Sequence, residues 1–83
     1  MDFGDLLCAL DSPLCAALVP ELFALKSNVV AKLKPFAHGC QPCQYYEKQR
    51  VIAGLQVELM NVVNSDPAIT ALMPQLIATG KAP

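Results

Sequence analysis

The sequence predicts an all-α fold of three to four short helices. Three observations carry that expectation. No alternating β-branched run of useful length occurs in the 83 residues. Apolar side chains in every long segment recur at three and four residues, the period of a helix and not of a strand. Prolines stand where helices begin, as in Ser12–Pro13 and Asp66–Pro67, each just after a residue suited to cap.

Asp2 to Leu10 can hold a short first helix. Asp11–Ser12–Pro13 then reads as a start signal, with Ser12 as N-cap and Pro13 at the first helical position. Pro20 restarts or kinks that helix, because it has no N–H to give the preceding turn. Beyond it Leu22, Leu25, Val29 and Leu33 keep the helical interval. Pro35 ends the segment, and Phe36 to Gly39 makes the connection. Pro42 opens the cleanest amphipathic helix. Its apolar stripe is Tyr45, Ile52, Leu55, Leu59 and Val62, widened by Val51 and Val63. Its polar stripe is Glu47, Arg50, Gly54, Glu58 and Asn61. At about 1.5 Å per residue it runs about 33 Å. Asn64–Ser65–Asp66–Pro67 stops it and starts the last helix, for which Gly80 is the expected stop. Lys81 to Pro83 then form a loose tail. PLCAALVPELFA (13–24) aligns with PAITALMPQLIA (67–78); an ancestral duplication is one reading, a shared need for a proline-started, proline-kinked apolar helix is the favoured one, and two copies make no solenoid.

The composition is unusually apolar: 54% of residues are hydrophobic, mean hydropathy is +0.40 and only 16% are charged. An ordinary domain carries about 25% charge. A chain this short buries roughly 60–65% of its unfolded surface. The excess predicts an exterior covered by protein partners. A net charge of −1 gives no sign of nucleic-acid binding. Asp2, Asp5, Asp11 and Glu21 make an acidic head, and Lys26, Lys32, Lys34, Lys48 and Arg50 a basic middle. The longest uncharged run, Pro67 to Gly80, falls short of the roughly 20 residues a spanning helix needs. MDFGDLL has no positive n-region and two early aspartates, so neither a signal peptide nor an Arg-rich transit peptide is expected.

The cysteines are arranged as C-x6-C (Cys8, Cys15) and C-x2-C (Cys40, Cys43). Three pairings are possible. Cys15 precedes the second helix and Cys40 lies beyond its end, roughly 20 Å away. A disulfide needs Cα atoms within about 7 Å, so local pairing is favoured: Cys8–Cys15 and Cys40–Cys43. Three alternatives stay open. CQPC at a helix N-terminus suits a low-pKa redox thiol, although no strand precedes it as in a βαβ unit. Zinc wants two close pairs, and only the second is close enough. Free buried cysteines are the third. His38, beside Gly39 in a loop, reads as a surface or capping residue, and Tyr45 and Tyr46 as packing residues. No paired carboxylates, Gly-rich phosphate loop or nucleophile with a base appears, so no enzyme activity, metal or cofactor is expected. The expected architecture is one domain, 1–83, with a helical hairpin (about 20–34 and 42–64), a disulfide-stapled N-terminal segment and a C-terminal helix (about 67–79).

Paired cysteines on short helices resemble the small twin-cysteine helical proteins of the mitochondrial intermembrane space. The order C-x6-C, helix, second pair, helix is similar in outline to the PDSW-type accessory subunits of respiratory complex I. The resemblance spans Cys8 to Cys43 and rests on spacing. It implies a non-catalytic accessory subunit, oxidised after import, that stabilises or assembles a larger mitochondrial membrane complex of protein subunits. The alternatives are a secreted or viral helical binding protein with the same staples, and a small thiol-redox or zinc protein built on Cys40 and Cys43.

Overall fold

Caps and prolines set most of the helix boundaries. The computed structural model describes residues 1–39 and 41–82, and no strand occurs among them. The order is α1 (Phe3–Asp11), α2 (Cys15–Leu18), α3 (Pro20–Phe23), α4 (Lys26–Leu33), a 3-10 turn (Lys34–Phe36), α5 (Pro42–Val63) and α6 (Pro67–Lys81). The Asp2 carboxylate accepts the Asp5 N–H at 2.8 Å and caps α1. Asp66 caps α6 by accepting the Ala68 N–H at 2.9 Å, with Pro67 in the first turn, as the sequence predicts. Pro42 opens α5, and the Gln41 N–H donates to the Gln44 side chain at 3.1 Å. Gly39 has φ 88°, a left-handed conformation that glycine adopts without steric cost, and it turns the chain toward α5.

Two expected boundaries move. Ser12 ends α1, is buried and caps the short turn before α2, not α2 itself. Its hydroxyl is shared with Thr79 Oγ1 at 2.6 Å and accepts the Leu14 N–H at 3.1 Å, so α2 begins only at Cys15. The first arm of the hairpin, expected as one helix over 20–34, breaks at Ala24–Leu25 into α3 and α4. The arm still packs on α5, which buries Leu55, Leu59 and Val63 on one face. The i, i+4 spacing of those three residues makes the stripe. Leu22 and Val29 meet it from the arm, and Leu6, Leu10, Met73 and Leu76 from the terminal helices.

The most extensive contact joins the two ends of the chain, α1 and α6. The helices run antiparallel. Asp5 meets Lys81 at 3.5 Å, Cys8 meets Gly80, and Ser12 meets Thr79. At Gly80 the approach is backbone to backbone: a Cβ there would overlap the Cys8 carbonyl. Gly80 is therefore an interior packing residue of α6 and not its stop. Lys81, expected in a loose tail, closes the helix.

The expected Cys8–Cys15 staple is not formed: both are free thiols. Cys8 sits on α1 where its backbone faces α6, and the Cys15 side chain is fully buried in the core. Ser12 and its hydrogen bonds hold the α1–α2 connection instead. The expected Cys40–Cys43 pairing falls on Cys40, outside the described residues. The molecule is elongated, 39 × 28 × 19 Å, because α5 alone is about 33 Å long.

The two helical glycines predict opposite stability effects. Gly80→Ala forces α1 and α6 apart and lowers stability by about 1–3 kcal/mol, as overpacking does. Gly54 has nothing within 4 Å, so Gly54→Ala raises stability by up to about 1 kcal/mol through helix propensity. Urea unfolding of the two variants checks both signs.

Candidate functional site

Two surfaces remain after the core is built, and helix geometry creates both. The first is a groove where α1 lies across the α4–α5 hairpin. The hairpin is antiparallel: Asn28 donates to the Glu58 carboxylate at 3.4 Å near one end, while Leu33 and Lys34 face Ile52 and Lys48 near the other. Phe3 and Leu7 of α1 form one wall. Val29, Val30 and Leu33 of α4 form the floor, and Phe36 and Ile52 complete it. The cavity volume is about 700 Å³, within the roughly 300–1,000 Å³ range of ligand clefts. Val30 is 59% exposed in it. Asp11 borders the groove and is held by Lys26 at 3.3 Å. Lys34 and Lys48 border it with no ion pair among the described residues.

The second surface is the outward face of α5. Tyr46, Arg50, Ala53, Val57 and Asn61 follow one another at three- and four-residue steps and are all exposed. Tyr46 is 70% exposed and Val57 62%. Arg50 is the only charged side chain in the series. Gly54 lies beside it with open space above its backbone. Tyr45, expected in the core stripe, and Tyr46, expected to pack, are both exposed, with their rings edge-on at 5.9 Å. The first turns of α5 extend beyond the hairpin's first arm, and the buried residues of α5 begin only at Leu55. Glu58, expected in the polar stripe, is half-buried against Asn28.

Among the described residues, Cys8, Cys15 and Cys43 do not converge on a common point. Burial pushes the Cys15 thiol above its ordinary range, partly offset by the positive charge of Lys26. A thiol held protonated in the core is a poor nucleophile and a poor metal ligand. Cys8 is half-buried on α1, and Cys43 is exposed in the first turn of α5. His38 is exposed in the turn before Gly39. No group of three or more His, Cys, Asp or Glu is placed to hold a metal ion among the described residues. No described helix is long and apolar enough to cross a membrane.

The chain matches no known family model, and no curated protein and no solved structure matches it.

The groove has no local signature in the sequence. Its only trace there is the set of apolar residues outside the core stripes, Val30 and Phe36. Chain order does not show that α1 covers them from one side.

Thiol labelling tests the cysteine environments. In reduced, folded protein at pH 8, iodoacetamide modifies Cys43 rapidly and Cys15 only as fast as the core opens. In denaturant the two react at similar rates. Peptide-level mass spectrometry reads the ratio.

Proposed function

We propose that this chain is a non-catalytic helical subunit that stabilises or assembles a larger protein complex by docking the outward face of α5. One observation carries the proposal: a helix face with Tyr46, Ala53 and Val57 open to solvent and a single charge along it. The solvent side of a helix ordinarily carries charged residues. Tyrosine is enriched in the residues that dominate binding energy at protein interfaces. Gly54 supports the same reading. It costs helix stability, no described residue occupies the space above it, and bare backbone lets a partner approach closely.

The cysteine spacing supports a mitochondrial setting, with the chain at the edge of a membrane complex on the intermembrane-space side. Oxidation there acts on Cys43, exposed in the first turn of α5, with Cys40 its neighbour in sequence, since Cys15 is shielded by the core. The partners are protein subunits.

Gel filtration of a mild extract from cells that produce the chain tests the proposal. The wild-type chain elutes far above its own 8.9 kDa. Tyr46→Asp combined with Val57→Asp alters only exposed positions, keeps the helical circular dichroism and elutes free. A wild-type chain that elutes alone, or a double variant that stays in the complex, overturns the proposal.

A further inference from the structure

We propose that the groove between α1, α4 and α5 binds a single-chain fatty carboxylate, with the acyl chain along its apolar floor and the carboxylate at Lys34 and Lys48. The proposal is independent of the α5 docking face.

The groove has two chemically different ends. At one end Asp11 is already neutralised by Lys26. At the other, Lys34 follows directly on α4 and Lys48 stands on the facing stretch of α5. Neither lysine has an ion-pair partner among the described residues, and Lys48 is half-buried. From Lys26 to Lys34 the helix advances about 12 Å. Val29, Val30 and Leu33 fill that interval, facing Phe3 and Leu7 across the groove. A ligand that satisfies the whole groove has a long apolar body and one anionic end. Its chain removes Val30 and its neighbours from water. Its head forms charge-assisted hydrogen bonds to two ammonium groups.

Charge selects the occupant: two lysines without an ion-pair partner among the described residues, at one end of a short apolar strip, suit a single anionic head on a single chain. A neutral lipid leaves both lysines unmatched, and a cationic one is repelled.

Dodecanoate below its micelle concentration is the probe, followed by NMR of the full chain. The expected result is saturable binding of one molecule per chain, with amide shifts centred on Phe3, Leu33 and Ile52. Dodecyltrimethylammonium, with the same tail and the opposite head, binds at least about tenfold more weakly. Lys34→Glu combined with Lys48→Glu weakens dodecanoate to the same degree. The head-group comparison on wild-type protein decides the matter even if that variant fails to fold. Absent or non-saturable binding, equal binding of the cationic amphiphile, or shifts away from the groove overturn the proposal. Shifts seen only with anionic phospholipid vesicles, or only with an acidic amphipathic peptide, assign the groove to a membrane surface or a protein helix and overturn it too.

Discussion

The antiparallel contact of α1 with α6 is the constraint on which the rest of this fold depends. It joins the two ends of an 83-residue chain, so every other helix is enclosed between them. Hydrophobic burial dominates its energy. Leu6, Leu10, Met73 and Leu76 are almost wholly removed from water. They belong to the shared core with Leu55 and Leu59 of α5, and burial of each contributes about 1.5–3 kcal/mol. The Lys81–Asp5 pair, with side chains 58% and 32% exposed, adds at most about 1 kcal/mol. Shape therefore outweighs charge, and Gly80 decides shape, because only a residue without a Cβ lets the two backbones close.

Polar groups inside the contact are satisfied locally. Thr79 Oγ1 lies 2.9 Å from the Gln75 carbonyl and 2.6 Å from the Ser12 hydroxyl, and Ser12 in turn accepts the Leu14 N–H. Among the described residues no buried side-chain polar atom is left without a partner. The turn from α1 into α2 is thus fixed by a hydrogen-bonded pair of hydroxyls where a disulfide was expected. With the ends closed, α1 covers one side of the hairpin and leaves the groove beside it, while α5 keeps its outer face bare. The two candidate surfaces are by-products of where the terminal helix lies.

Local signals were readable in the sequence because their causes are local. Pro42 and Asp66–Pro67 start helices through their own dihedrals and caps, and the structure places both starts there. The core stripe of α5 was readable at Leu55, Leu59 and Val63, with Val51 and Val62 packed against its edge. Residues whose role depends on a distant partner were misread. Ser12 looked like an N-cap and its hydroxyl does accept the Leu14 N–H, but it also pairs with Thr79, 67 positions away. Gly80 looked like a helix stop because glycine usually is one; its reason is Cys8. Cys8 and Cys15 looked like a staple because an even count in a short chain favours one, and spacing does not reveal that one thiol faces the core. The groove was unreadable for the same reason: three non-adjacent segments build it.

The central claim is that the α1–α6 contact is among the last parts of the fold to open. Native-state amide hydrogen exchange tests it most directly. The amides of Leu6, Leu10 and Leu76 are predicted to exchange with the same opening free energy as those of Leu55 and Leu59, through global unfolding. Exchange of the α1 amides by local fraying, at a free energy well below that of α5, would contradict it.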